Sequence, residues 1–215
     1  MTTATTSHLA VITAGLTQPS STRLLADRLT EAVVRALRDT ADTTEPSDEV
    51  VVEVVEVRDV AHDLTNHVLT GFASPELQVR LDAITEADAV IVVTPIYAAS
   101  FSGLFKVLVD VLPTDALRDT PVLLGATGGT ARHSLAIDHA LRPLFAHLGA
   151  LVAPVAVFAA SDDWGSKDAG LLGERISRAG RSFAGLITGA SKVSVPDPFD
   201  DVTPFAQLLQ GSSRA

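Results

Sequence analysis

The chain has 215 residues, carries 26 acidic against 16 basic side chains for a formal net charge of -10, and contains no cysteine. This length suits one domain with a full hydrophobic core. The negative charge argues against a nucleic-acid partner, and the lack of cysteine excludes disulfides, thiolate metal sites and cysteine nucleophiles. No leader pattern begins the chain and no apolar run reaches membrane-spanning length, so we expect a cytoplasmic protein with no membrane partner.

Five apolar segments rich in valine and isoleucine alternate with helical patterns along the chain. Their composition predicts strands, and four of them are apolar on both faces, which is typical of a parallel sheet covered on two sides. The predicted strands are 8–14, 50–58, 89–95, 121–127 and 151–159. The predicted helices are 21–38, 75–87, 102–112, 134–148 and 168–189. This alternation predicts a doubly wound α/β fold.

Two segments fall outside this alternation. Residues 39–49 are polar and acidic and predict a loop before the second strand. Residues 191–215 contain three prolines together with Phe199 and Phe205, which predicts an extended C-terminal tail with apolar anchors. Because no linker or internal repeat is visible before that tail, we expect residues 1–190 to form one domain.

The segment after the first strand is GLTQPSSTR, from Gly15 to Arg23, and hydroxyl and amide side chains crowd it. The first N–H groups of the following helix have no internal partner, and this end of the helix dipole is positive. The turn therefore predicts an anion site that uses neutral donors, because the lysine of a P-loop is missing. The alternative is that Ser20, Ser21 and Thr22 only cap the helix.

Two further loops follow the third and fourth strands, TPIYAASFSG from Thr94 and TGGTARH from Thr127. Ligands of doubly wound sheets bind beyond the carboxyl ends of the strands, so the three loops should form one elongated cleft. A phosphorylated, flat, apolar ligand fits hydroxyls at one end and small residues with one aromatic ring, Tyr97, at the other. Taken singly, Gly128-Gly129 is an ordinary turn and Tyr97 a half-buried ring.

The segments PSSTRLLAD, TPIYAASFSGLFK and ATGGTARHSLAIDHALRPLFAHLGA together resemble the NADPH-dependent FMN reductases, especially the branch that supplies reduced flavin to two-component monooxygenases. The resemblance covers residues 8–190 and implies a flavodoxin-like three-layer sandwich with a five-stranded parallel sheet in the order 2-1-3-4-5. It also implies an oxidoreductase that transfers hydride from NADPH or NADH to FMN, acts as a homodimer or tetramer, and passes reduced flavin to a monooxygenase.

The resemblance further implies which residues bind the flavin. The FMN phosphate is assigned to Thr17, Gln18, Ser20, Ser21 and Thr22, and the ring is placed between Pro95, Ile96, Tyr97 on one side and Thr127, Gly128, Gly129 on the other. Ala98 departs from the family pattern, where relatives often carry a longer polar or basic side chain near the nicotinamide.

The expected chemistry needs no catalytic acid, base or metal, because the cofactors carry the reactivity and the protein fixes their distance and orientation. Backbone N–H groups after the third strand are expected to bond the flavin near N5 and O4. The two glycines let the opposite backbone approach the ring, so Gly128→Val is expected to block the ring and leave the sheet intact.

Other proteins of this fold remain as alternatives. A quinone or azo-dye reductase with bound FMN is the closest rival enzyme, and a flavodoxin-type electron carrier would bind FMN without reacting with NADPH. A phospho-receiver module needs an aspartate at the end of the third strand, where Thr94 and Pro95 stand.

The predicted helix 102–112 bears on oligomeric state. It is apolar nearly all round, with only Lys106 and Asp110 suited to face water, so one face needs cover beyond the sheet. A second subunit in a two-fold dimer would supply that cover. The alternative cover is the chain's own tail, 196–209.

Overall fold

The computed structural model describes residues 7–40, 49–165 and 169–189, and seven strands in these ranges form one sheet. The strands are β1 (Ser7–Thr13), β2 (Val50–Glu56), β3 (Ala89–Tyr97), β4 (Ser100–Phe101), β5 (Pro121–Gly128), β6 (Leu151–Val152) and β7 (Val157–Ala160). The sheet order is β2-β1-β3-β5-β6, all parallel, with β4 antiparallel to β3 and β7 parallel to β5. The predicted tail 191–215 lies outside the described residues.

The predicted order 2-1-3-4-5 agrees with this sheet, but the predicted count of five strands is wrong. The segment 151–159 forms β6 and β7 with a break between them, because Pro154 has no N–H to donate to a ladder. In the break, the Arg142 guanidinium donates to the carbonyls of Ala153 at 2.9 Å and Pro154 at 3.4 Å. The short strand β4 is a further addition, formed where the sequence predicted a loop.

Within residues 7–40, 49–165 and 169–189, six α-helices cover the two faces of the sheet. They are α1 (Ser21–Thr40), α2 (Ala61–Thr70), α3 (Pro75–Thr85), α4 (Gly103–Val111), α5 (Arg142–His147) and α6 (Ala169–Gly189). Helices α1 and α6 enclose one apolar core, and α2 to α5 enclose the other. The arrangement is the flavodoxin-like three-layer sandwich that the sequence predicted. Shorter turns occupy Val57–Val60, Ala131–His133 and Ser161–Trp164 as 3-10 helix and Ile137–Leu141 as π-helix.

Helix α2 is absent from the sequence prediction and changes the surroundings of α4. It packs beside α4, and the side chains of Leu104, Val107 and Val111 are partly buried against the core. Helix α4 therefore exposes less apolar surface than the sequence predicted. Among the exposed apolar side chains of this layer are Val68, Leu69 and Phe72, which lie at the end of α2 and just beyond it.

The two helices of the other face, α1 and α6, cross with their backbones in close contact. A Cβ added at Gly180 of α6 would lie 2.8 Å from the carbonyl carbon of Ala32 on α1. Since real Cβ atoms do not approach so closely, glycine is required at this crossing. The crossing fixes the position of α1, whose first turn lies at the carboxyl edge of the sheet.

Candidate active site

The three predicted loops line one cleft of about 730 Å³ at the carboxyl ends of β1, β3 and β5, a volume in the range of small-molecule sites. Ten of the eleven predicted site residues line it: Thr17, Ser20, Ser21, Thr22, Pro95, Ile96, Tyr97, Thr127, Gly128 and Gly129. Gln18 is not among the lining residues, and its side-chain amide faces the Arg58 guanidinium instead.

The first loop combines a helix cap, Ser20, with an exposed serine, Ser21. Ser20 Oγ accepts from the Arg23 N–H at 3.2 Å and the Ser20 carbonyl accepts from the Leu24 N–H at 3.0 Å, so Ser20 is the cap of α1. A Cβ at Gly15 would overlap the Ser20 hydroxyl, which explains the glycine before this loop. Ser21 is exposed in the first turn, where helix N–H groups lack intrahelical partners.

A buried hydrogen bond joins the first and third loops. The hydroxyls of Thr22 and Thr127 lie 2.8 Å apart, and both residues are about 3% exposed. Thr127 pairs with Pro95 in the sheet, so this bond passes over the end of β3 between the other two loops. Thr22 therefore holds two walls of the cleft together.

The arginine that ends the first loop is neutralised by carboxylates. Arg23 donates to Asp27 at 2.7 Å and to Glu56 at 2.5 Å. The hydrogen bond to Asp27 is the main cause of a pKa for Arg23 above its ordinary value, with Glu56 adding to it and burial opposing it. Arg23 does not line the cleft, so its charge is directed to these acids.

The second loop is a tight hairpin. Tyr97 of β3 pairs with Ser100 of β4 across Ala98 and Ala99, whose φ angles are +48° and +66°. A left-handed conformation costs a non-glycine residue about 1–2 kcal/mol, so this turn is strained. The hairpin holds the Tyr97 ring at the mouth of the cleft, where the residue is 49% exposed.

Hydrogen bonds to the hydroxyls of Thr94 and Ser102 anchor the end of the hairpin. The Ser102 N–H donates to Thr94 Oγ1 at 3.3 Å, and Ser102 Oγ accepts from the Phe105 N–H at 3.2 Å as the cap of α4. These bonds connect Thr94, a buried residue of β3, with the start of α4.

The two glycines of the third loop have different surroundings. A Cβ added at Gly128 would lie 2.9 Å from Cζ of Phe158, a side chain that does not line the cleft. A Cβ at Gly129 would meet no atom within 4 Å. The expectation that Gly128→Val only blocks a ligand is therefore wrong, because the added side chain would collide with Phe158.

Seven further lining residues are not among the predicted site residues. Leu24, Arg28, Ser161 and Trp164 are four of them, and Gly15, Leu16 and Pro19 of the first loop also line the cleft. The Arg28 guanidinium lies over the Trp164 ring with its carbon 5.2 Å from the ring centroid, within cation–π range. Helical spacing could have found Arg28, since it follows Ser21 by seven residues, whereas nothing in the sequence brings Trp164 to α1.

A second, larger depression of about 1170 Å³ runs along α6 and contains none of the predicted site residues. Its lining is charged, and within it Arg175 donates to Asp163 at 2.5 Å and to the Phe158 carbonyl at 2.9 Å. No three acidic or histidine side chains gather into a metal site anywhere in the described residues.

Comparison with known proteins decides the family. The family model described as NADPH-dependent FMN reductase matches residues 7–165. The chain belongs to this family. It is an NAD(P)H-dependent FMN reductase.

Individual relatives agree with this assignment. The reductase is 39% identical over 153 residues to an FMN reductase (NADPH) of Pseudomonas aeruginosa, covering 71% of this chain and 76% of the relative. It is 38% identical over 152 residues to an NADH-dependent FMN reductase of Pseudomonas putida, with the same coverage. A solved oxidoreductase from Corynebacterium diphtheriae superposes with a TM-score of 0.80 at 39% identity, over 88% of this chain and 100% of that one.

The reductase uses FMN and a nicotinamide nucleotide, and the cleft residues suit a flavin phosphate and ring. FMN supplies the ring that accepts hydride, so the protein's own groups have to bind the flavin, orient it and shield it from water. Among the helices that the structure describes, none combines the length and apolar character needed to cross a membrane.

Proposed function

We propose that the reductase binds the FMN phosphate at the first turn of α1 and the flavin ring between the Tyr97 hairpin and the Gly129 loop. The observation that carries this proposal is that ten of the residues assigned to FMN from the family resemblance line one cleft. Ser21 and the helix N–H groups suit an anion, and the open space at Gly129 suits a ring edge that approaches the backbone.

We also propose that FMN exchanges with solvent and leaves reduced, to be used by a separate flavin-dependent monooxygenase in the cytoplasm. The rim of the cleft supports this proposal, because Leu16, Leu24 and Tyr97 are exposed beside it. A cleft with such an open rim gives a flavin a route out after it has accepted hydride from the nicotinamide.

A stopped-flow experiment tests the assignment. The purified protein is mixed with FMN and then with NADPH or NADH, and loss of the flavin's visible absorption is followed in time. Rapid reduction by either nucleotide, followed by separation of reduced FMN from protein on gel filtration, is the expected result. Reduced flavin that stays with the protein would contradict the exchange proposal.

Ser21 provides the matched test of the phosphate end. Ser21→Ala is expected to weaken FMN binding by about 1.5–3 kcal/mol, the value of one hydrogen bond to a charged group, and to leave riboflavin binding unchanged. Ser182→Ala on α6, outside the cleft, is the control. Equal FMN titrations for Ser21→Ala and the control would remove Ser21 from the phosphate site.

We further propose a homodimer. Val68, Leu69 and Phe72 form an exposed apolar group at the end of α2, and Leu69 and Phe72 are 78% and 80% exposed. Apolar clusters of this kind mark association surfaces on soluble proteins. This α2 surface replaces α4 as the place where a second subunit would bind.

A further inference from the structure

One arginine that lines the cleft, Arg28, forms no ion pair with the described residues. Arg28 lies on α1 two helical turns after Ser21, and Ser21, Leu24 and Arg28 all line the cleft from one stripe of that helix. Helical side chains lean toward the N-terminus of their helix, so the long Arg28 side chain extends from its Cα back toward the first turn.

Trp164 fixes where the Arg28 guanidinium lies. The Trp164 ring is half-buried and packs against the core between α1 and α6, so its position is set by the fold. The guanidinium lies 5.2 Å from the ring centroid, an arrangement that holds a cation without neutralising it. The indole therefore orients Arg28 along the cleft wall.

Arg28 differs in this respect from the neighbouring arginines. Arg23 is paired with Asp27 and Glu56, and Arg58 lies within salt-bridge distance of Glu56 and Asp59. Arg28 has no ion pair or hydrogen bond among the described residues. It is also the only lysine or arginine in the part of the cleft lining that the structure describes.

An uncommitted cation has a clear use in this cleft. The chain has a formal charge of -10, so the molecule as a whole repels an anionic ligand. A cation beside the hydroxyls and helix N–H groups would strengthen the binding of a flavin phosphate, because a charge-assisted hydrogen bond is stronger than a neutral one. We propose that Arg28, held against Trp164, pairs with the 5′-phosphate of FMN and makes the cleft selective for the phosphorylated flavin. This inference rests on the proposed FMN site.

The test uses three variants of the full chain titrated with FMN and with riboflavin, which has the same ring and no phosphate. Arg28→Gln removes the charge, Arg28→Lys keeps a charge without the planar guanidinium, and Arg35→Gln removes an exposed charge two further turns along α1. Arg28→Gln is expected to weaken FMN binding about 10- to 100-fold, the loss of one charge-assisted contact, with riboflavin unchanged. Arg28→Lys should retain part of the FMN affinity, and Arg35→Gln all of it.

Three results would overturn the inference. The first is an equal FMN affinity in Arg28→Gln and Arg35→Gln. The second is an equal fall in the affinities for FMN and for riboflavin in Arg28→Gln. The third is an unchanged FMN affinity with a raised KM for NADPH or NADH, which would assign Arg28 to a phosphate of the dinucleotide. A wild-type protein that binds no FMN would overturn the proposed function itself, before any variant is compared.

The role of Trp164 is tested separately. Trp164→Phe keeps an aromatic face under the guanidinium and should retain the preference for FMN over riboflavin, whereas Trp164→Leu should reduce that preference toward the value of Arg28→Gln. An equal preference in Trp164→Leu and the wild type would contradict the positioning role of the indole. Because the readout is a ratio of two affinities on one preparation, loss of folded protein does not change it.

Discussion

Gly128 and Gly129 are adjacent, but a side chain at each would have a different effect. At Gly128 a Cβ would lie 2.9 Å from Phe158, and at Gly129 it would enter open space. We expect Gly128→Val to destabilise the fold by about 1–3 kcal/mol through overpacking. Gly129→Val should leave stability unchanged and weaken FMN binding, since its side chain extends into the space proposed for the ring.

Urea unfolding and FMN titration of both variants separate these effects. Phe158→Leu combined with Gly128→Val should recover part of the lost stability, because the smaller side chain relieves the contact. A Gly128→Val protein as stable as the wild type, or a Gly129→Val protein with full FMN affinity, would contradict this account of the third loop.

The residues of the cleft were largely predictable because three loops at strand ends carry recognisable residue types. What each residue does was less predictable. Ser20 and Ser21 are both serines in one turn, yet only Ser20 directs its hydroxyl to the helix as a cap. Gln18 turns toward Arg58, a residue 40 positions away, and such a contact leaves no mark in the local sequence.

At the scale of elements, the crossing of α1 and α6 supports the phosphate end of the cleft. Gly180→Ala would bring a Cβ within 2.8 Å of the Ala32 backbone, and a backbone cannot move aside as a flexible side chain can. We expect the variant to lose about 1–3 kcal/mol of unfolding free energy. It should also bind FMN more weakly, because separating the helices displaces the first turn of α1.

Gly185→Ala is the matched control, since Gly185 lies on the same helix with no atom within 4 Å of its added Cβ. This change should stabilise the protein by up to about 1 kcal/mol through higher helix propensity. Thermal unfolding of the two variants gives the comparison. A Gly180→Ala protein at least as stable as Gly185→Ala would show that the crossing tolerates a larger separation.

The strands of the sheet were predictable and several connections were not. Continuous apolar runs identify β1, β3 and β5 because both faces of each are covered. Helix α2 was missed because it is short and mostly polar: only Leu64 of its ten residues is buried, although Ala61, Leu64 and Val68 follow helical spacing. The turn at Ala98 and Ala99 was not predictable either, because alanine rarely adopts the left-handed conformation that both residues have here.

At the scale of the whole molecule, the proposed dimer makes the α2 surface testable. Sedimentation of the full chain at micromolar concentration should give the dimer mass. The double change Leu69→Asp and Phe72→Asp should give a monomer, because burying two carboxylates at an interface is costly. Val79→Asp is the control, a 58% exposed apolar position on α3.

The alternative is that the chain's own tail covers the apolar surface. A shortened chain that ends at Ser194 distinguishes this alternative from the dimer. If the tail covers the apolar surface, the full chain is a monomer and the shortened chain self-associates. If the dimer forms through α2, both chains sediment as dimers. A full chain that is monomeric at micromolar concentration would end the dimer proposal.

The bond between Thr22 and Thr127 has a consequence for how the cleft moves. These residues belong to opposite walls that the sheet does not join directly, because β3 lies between β1 and β5. With both hydroxyls shielded from water, neither wall can fray alone without leaving a buried hydroxyl unpaired. The two walls should therefore open only together, as one cooperative unit. A flavin then enters or leaves through the exposed rim, and the buried part of the cleft around Thr22 and Thr127 keeps its shape between turnovers.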